Sequence, residues 1–300
     1  MRALFVLDPH ESKRLIGKAV ARMKEVKRAV NKANILIFHG STNIYVLEEI
    51  LGVDLLNSLM NPSAFISGLV IKGTLCSTSG KEKPPIVFLK NGVITPPADT
   101  MSEMLCQFGP DSIIIKGANA IDNEGYAGAL VAHPEGGSIG WSIGTILARG
   151  IPLIAPVGLE KLVPSVQKAV SMCGQLSLDY VQGKRVGMIP LTNAIVVSEI
   201  KAMKIITGLD AFHVASGGVS GSEGAVGLVV EGKKEAVHRA IEWVEKIKGE
   251  PALTFQKDLC ETCVQASPGQ KTDYESYSDV DFCRYRGLKE EKLPPYLRKS

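Results

Sequence analysis

The stretch Asn34-Ile35-Leu36-Ile37-Phe38-His39-Gly40-Ser41-Thr42-Asn43 decides the fold. Through Phe38 it is a continuous apolar run, the pattern of a strand buried on both faces. It breaks at Gly40, and residues 45–52 (YVLEEILG) then read as helix. At a strand–glycine–helix junction, backbone N–H groups and the positive end of the helix favour an anion. Gly40 lets a ligand approach the backbone, and Ser41 and Thr42 offer hydroxyl donors. Plain helix capping is the competing use of the same hydroxyls. With His39 and Asn43 these residues form the first candidate ligand loop.

Working outward, residues 3–7 form a short apolar strand, and Asp8, Pro9 and Glu11 then read as a helix start. Ile16, Val20, Met23, Val26 and Val30 recur at helical spacing. The opposite face carries Lys13, Arg14, Lys18, Lys24, Lys27, Arg28 and Lys32, a solvated face or a surface for an acidic partner. Further strands are expected at residues 66–71, 86–89, 112–115, 153–155 and 195–197. Helices are expected at 101–108, 140–149 and 164–173. This alternation predicts an α/β protein with a Rossmann-like, mostly parallel sheet. In such sheets ligands bind beyond the carboxyl ends of the strands.

The texture changes near residue 190. A helix-like segment, the strand AFHVAS, the turn GGVSGSEG, the strand AVGLVVEG and a helix over 233–249 suggest a smaller α+β subdomain. Beyond Gly249 the chain is polar, with Pro251, Pro268, Pro294 and Pro295, and reads as an irregular C-terminal tail. The expected organisation is a Rossmann-like domain over 1–189, a lid-like subdomain over 190–250 and a cysteine-containing tail over 251–300.

Composition narrows the function classes. Of 300 residues, 45% are hydrophobic and 22% charged, and the net charge of +3 is too small to point to nucleic acid. No run approaches the roughly 18–20 apolar residues that span a bilayer, and the N-terminus lacks the apolar stretch of a secretory leader. Six scattered cysteines do not form a disulfide framework. A reduced, cytoplasmic protein is expected, with no membrane or nucleic-acid partner.

A second ligand region runs over residues 113–157 (IIIKGANAIDNEGYAGALVAHPEGGSIGWSIGTILARGIPLIAPV). Here the sequence resembles the superfamily of ribose-5-phosphate isomerase A, glucosamine-6-phosphate deaminase and the CoA-transferases. Lys116-Gly117-Ala118-Asn119-Ala120-Ile121-Asp122 looks like that group's strand-end Asp-Gly-Ala-Asp-Glu-Ile-Asp element. Residues 136–157 are similar to a loop–helix–strand of methylthioribose-1-phosphate isomerases and translation-factor 2B subunits. Gly40-Ser41-Thr42 falls where these families keep a phosphate loop. The resemblance covers residues 34–160 and the remainder by architecture alone. It implies a phosphorylated small-metabolite ligand and, as leading activity, isomerisation of a sugar phosphate by proton transfer.

The departures change the chemistry. Lys116 stands where the isomerase has a carboxylate, and Asn119 replaces a second one. The local charge inverts and a candidate base disappears, so simple ribose-5-phosphate isomerase activity is not expected. Lys116 suits a phosphate or carboxylate of another ligand. Asn119 orients the ligand or binds its own turn. Glu135, before a helix, is the leading acid–base group, with Asp122 and Glu124 as alternatives. Two rivals are acyl-CoA transfer through a glutamate and a non-catalytic, metabolite-sensing subunit. Lys72, Gly117, Gly136, Gly137 and Ser138 complete the main ligand-binding set.

The turn over 217–224 is either a hairpin turn or a lid, with Ser220 and Glu223 as ligand candidates. Among the histidines, His39 and His133 lie in the ligand loops, His213 reads as a strand residue, and His10 and His238 as peripheral. Cys260-x2-Cys263 with Cys283 suits zinc or an iron–sulfur cluster, but leaves a fourth ligand unnamed. Disulfide formation and plain thiols are the alternatives. No cofactor is required by this reading, and a homo-oligomer is expected.

Overall fold

The computed structural model describes residues 1–68, 70–71, 73–78, 83–254, 257, 259–263 and 283–298. Lys72 lies outside the described residues. Strand β1 (Arg2–Leu7) leads into α1 (Pro9–Arg22), where Glu11 accepts the Asp8 N–H at 2.9 Å and anchors the helix start. α2 (Lys24–Lys32), β2 (Asn34–Ile37), α3 (Ser41–Leu51) and α4 (Val53–Leu59) follow. Next come β3 (Val70–Ile71), β4 (Thr74–Leu75), β5 (Val87–Lys90), β6 (Val93–Thr95) and α5 (Met101–Cys106). The middle of the chain forms β7 (Ile113–Ile115), β8 (Ala120–Ile121), β9 (Ala127–Val131), α6 (Gly137–Arg149), β10 (Leu153–Pro156) and α7 (Val166–Met172). It ends in β11 (Gly187–Pro190), β12 (Ile195–Val197), α8 (Glu199–Thr207), β13 (Asp210–Gly217), β14 (Ala225–Glu231) and α9 (Lys234–Glu245).

The architecture is mixed α/β around a six-stranded sheet in the order β12-β10-β7-β2-β5-β6. β2, β7, β10 and β12 run parallel, and β5 and β6 extend the sheet antiparallel beside β2. The apolar run of β2 is explained by burial on both faces. Ile35 and Ile37 join one core with residues of α1, α3, α8, α9, β1 and β14. Leu36 and Phe38 join the other, with α5, α6 and β9. Alternation at period two thus divides one strand between two cores.

Three features differ from the sequence expectation. The strand expected over 66–71 is found at Val70–Ile71 alone among the described residues, and just before residue 66 Pro62–Phe65 form a 3-10 turn that buries Phe65. A small antiparallel sheet, β11-β9-β8, covers one face, and its Ala127-Gly128-Ala129 core lacks the β-branched residues that mark a strand. β1 pairs with β14 along its length, in a three-stranded sheet ordered β1-β14-β13. The N-terminal residues 2–7 therefore complete the α+β unit expected over 190–250, and a single core runs through both regions. The outer face of that sheet exposes Leu4, Val6, Phe212 and Val214.

The basic face divides: Lys24, Lys27, Arg28 and Lys32 on α2 are exposed, as a solvated face requires, whereas the part on α1 is closed by carboxylates. Arg14 contacts Glu48 at 2.6 Å and Glu250 at 2.8 Å, and lies over the Tyr45 ring. Lys18 meets Glu49 at 2.7 Å, and Lys13 meets Glu160 at 2.8 Å. Among the described residues, no helix is long and apolar enough to cross a membrane.

Candidate functional site

The parallel strands deliver their carboxyl ends to one edge of the six-stranded sheet. β2 runs out at 38–43, β7 at 116–119, β10 at 157–161 and β12 at 198–199. β5 is antiparallel, so its approach, through Lys83 and Pro84, begins at that same edge. Backbone bonds continue the alignment past the strands: Phe38 N–H donates to Ile115 O, and Val157 N–H to Val197 O.

Lysines gather at this edge. Lys116 donates to Gly117 O at 3.1 Å, Lys83 to Ser67 Oγ at 2.9 Å, and Lys161 to Ala118 O at 3.1 Å. Lys83 and Lys116 have neutral oxygen partners, and among the described residues neither is in a salt bridge. Glu160 stands 4.0 Å from Lys161, but it is closer to Lys13, at 2.8 Å. Each of the three lysines is half-buried. Burial lowers the Lys116 ammonium to about 8, helped by the charge of Lys161. It lowers Lys83 to about 8 as well, with Lys184 and Lys116 repelling it. Lys161 is shifted down by burial too. Lys83 and Lys116, held near one another without a carboxylate partner among the described residues, form a field that an anion relieves, whereas Lys161 is also faced by Glu160 and Glu199.

His39 belongs to the same field. Burial, with the charges of Lys83 and Lys116, pushes its imidazole down to about 3, so the ring is neutral. Its Nε2 lies 2.8 Å from Pro84 O. A carbonyl can only accept, which places the proton on Nε2 and leaves Nδ1 as an acceptor. Asn43 is fully buried, and its Nδ2 donates to Phe38 O at 2.7 Å. Among the described residues, its Oδ1 is buried without a hydrogen-bond partner. That amide faces the open side of Gly117, where a Cβ would lie 3.8 Å from Oδ1. An orphaned acceptor costs about 1–3 kcal/mol unless something donates to it. No side chain caps α3, so the helix start at Ser41 and Thr42 also turns uncapped N–H groups to this edge.

The other sequence candidates separate into distinct places. Asp122 is spent on architecture: Oδ1 accepts Glu124 and Tyr126 N–H at 3.1 and 2.9 Å, and Oδ2 accepts Val166 N–H at 2.9 Å. Asn119 Oδ1 accepts Leu130 N–H at 3.0 Å, a tie to β9 and not a bond to its own turn. Glu135 is exposed and accepts the Trp141 indole N–H at 2.9 Å, in a patch with His133. Gly136, Gly137 and Ser138 build the start of α6 there. In the hairpin turn, Ser220 has φ 55° and Glu223 accepts the Gly221 N–H at 2.9 Å, so both shape the turn itself. The turn nevertheless borders the lysines: a Cβ at Gly224 would lie 3.7 Å from Glu160 Oε2.

Sequence reasoning missed Lys83, Lys161 and Glu199. Lys161 follows the end of a predicted strand and was findable by the strand-end rule. Lys83 sits in an irregular stretch with no pattern to mark it. Glu199 opens α8, is fully buried, and accepts Leu159 N–H at 2.9 Å. Burial raises its carboxyl above the usual range. Cys260, Cys263 and Cys283 lie together in the tail, and none of the six cysteines is in a disulfide. Among the described residues, no group of three or more His, Cys, Asp or Glu side chains stands in position to hold a metal ion.

Comparisons of the chain with family models, curated proteins and solved structures found no match.

Proposed function

We propose that the lysine cluster at the strand ends binds a phosphorylated small metabolite, and that the chain isomerises it by proton transfer on a Rossmann-like domain. The observation that carries this reading is Lys83 and Lys116, two half-buried ammonium groups with no carboxylate partner among the described residues, held beside Lys161. A phosphate group supplies the missing charge, and the uncapped start of α3 adds N–H donors. The orphaned Asn43 Oδ1 suits a hydroxyl of the same ligand.

Proton transfer falls to Lys116 in this reading. With Lys83 and the start of α3 carrying the phosphate, Lys116, lowered to about 8, keeps part of its population as free amine near neutral pH, as a general base requires. Lys161 and neutral His39 stand near enough to influence Lys116 electrostatically and to stabilise an enediolate oxygen. The resemblance of 116–122 to the isomerase strand-end element fits this assignment, with a lysine in place of the carboxylate. The metabolite-sensing alternative draws on two observations: both carboxylate oxygens of Asp122 accept backbone N–H groups, and Glu135 accepts the Trp141 indole N–H.

A thermal-shift screen against inorganic phosphate, pyrophosphate, sugar phosphates and CoA esters tests the reading. At a hundred times the dissociation constant, a bound ligand adds about 2.7 kcal/mol. Stabilisation by a phosphorylated sugar, lost in Lys83→Met and Lys116→Met, is expected. Conversion of that sugar separates enzyme from sensor, and no response to any phosphorylated compound would sink both.

A further inference from the structure

Four of the six cysteines are brought into one neighbourhood from three stretches of chain, although their thiols do not yet converge around a single point. Cys76 follows β4. Leu75 N–H donates to Gln182 O at 2.8 Å, and Leu75 O accepts Lys184 N–H at 2.8 Å. This close approach needs Gly183, at φ 111°, where any Cβ would collide with the Leu75 carbonyl. On its other side Lys184 forms an antiparallel bridge with Cys283. The backbone thus brings Cys76 and Cys283 to either flank of residues 182–184. Cys260 O accepts Gly287 N–H at 2.7 Å, which ties the C-x2-C turn to the chain just beyond Cys283. The Cys76 thiol is within electrostatic reach of Cys263, Cys283, Lys184 and Lys257, and Lys257 of Cys76, Cys260 and Cys263. Cys106 on α5 and Cys173 after α7 lie elsewhere.

We infer that Cys76, Cys260, Cys263 and Cys283 form a tetrathiolate metal site, taking a zinc ion or an iron–sulfur cluster. Cys76 is the fourth ligand that the tail spacing leaves unnamed. Each thiol gives its proton to solvent as it binds; zinc needs no change of oxidation state, and a cluster takes the ferric iron it contains from the iron supplied. Four thiolates around a dipositive ion or core leave a net charge of about −2. Two ammonium groups stand ready to balance it: Lys257 Nζ is 3.3 Å from Cys260 Sγ, and Lys184 is buried beside Cys76. Charge-balancing groups of this kind orient and tune ligating side chains. In the structure Cys76 Sγ donates to Ser77 O at 3.5 Å, so loading exchanges that bond, and the one from Lys257, for metal ligation through side-chain rotation. The tail around Tyr285, Leu293 and Leu297 has only a small apolar cluster of its own, and metal would staple it to residues 74–78.

The test uses the full chain, purified without oxygen and also reconstituted with zinc chloride or with mixed ferric and ferrous iron and sulfide. Element analysis and visible absorption distinguish the two occupants: about one zinc per chain and no colour, or about two to four irons and a brown solution. Stripping with a chelator should expose about four additional thiols to Ellman's reagent in the native protein, a readout that needs no variant. Cys76→Ser and Cys283→Ser should each lower occupancy by about tenfold or more, while Cys106→Ser and Cys173→Ser leave it unchanged. Failure to retain zinc or iron under either reconstitution overturns the inference. Full retention by Cys76→Ser, or disulfides among these four cysteines in the native protein, does the same.

Discussion

Two groups of cations sit on neighbouring elements and are treated in opposite ways. On α1, Arg14, Lys18 and Lys13 each meet carboxylates at 2.6–2.8 Å. At the strand ends, Lys83 and Lys116 rest on a hydroxyl and a carbonyl and repel one another. The first group is closed within the fold. Its charges hold helix to helix, and Glu250 ties α1 to the chain beyond α9. The second group is left with excess positive charge at the edge where parallel sheets place ligands. Composition alone would have counted all of them as basic surface.

Breaking each group should therefore do different damage. Arg14→Met removes one partner from a network whose side chains are only 12–15% exposed at Arg14, Glu48 and Glu250. Stranding buried carboxylates costs about 3–5 kcal/mol, read as a lower midpoint in urea unfolding. Lys116→Met removes a charge that is repelled and lacks a carboxylate, so stability should hold or rise. Equal destabilisation by both variants would erase the distinction between the two groups.

Binding should show the reverse order. Lys83→Met and Lys116→Met each remove a charged donor, worth about 1.5–3 kcal/mol, or roughly 10- to 150-fold in affinity. Isothermal titration with pyrophosphate reads this directly. Lys18→Met, on the closed group, should leave pyrophosphate affinity unchanged.

The pH dependence sharpens the contrast further. Lys83 and Lys116 both titrate at about 8 in the folded chain, against about 10.4 unfolded. Between these values the unfolded chain binds more protons, so unfolding free energy rises with pH. This contribution is complete above the unfolded value and is lost as pH falls through about 8. Anion affinity moves the other way, because the ammonium groups discharge above 8. Denaturant melts and pyrophosphate titrations at pH 7 and 9 check both signs, and Lys116→Met should weaken both slopes.

How much of this was legible varies with the kind of signal. The sheet was readable because β2, β7, β10 and β12 are apolar runs bounded by glycine or polar residues. The turn from β2 into α3 was readable from the strand–glycine–helix junction at Gly40. The lysine cluster was not, because Lys83 reaches the edge through an antiparallel strand whose pairing with β2 no local pattern announces. Pairing also hid the role of β1, which lies more than 200 residues from its partner β14. Asp122 looked reactive in sequence because a strand-end carboxylate invites catalysis, whereas three backbone N–H groups had already claimed it. Polar satisfaction is a property of the folded neighbourhood, and it decided the case.

Glu135 carries the smallest expected effect and the sharpest consequence. It is exposed, its bond to the Trp141 indole is a surface contact, and its hydrogen bonds stay within its own loop and α6. Glu135→Gln keeps an acceptor for that indole at nearly the same shape, so stability should change by less than about 0.5 kcal/mol. Pyrophosphate affinity should not change either. Turnover of any sugar phosphate that stabilises the protein should survive, since the proton is assigned to Lys116. If Glu135→Gln instead abolishes turnover while binding persists, the patch of His133, Glu135 and Trp141 must close onto the lysines during catalysis. The two-group contrast would then describe the resting protein alone, and the base would be the carboxylate after all.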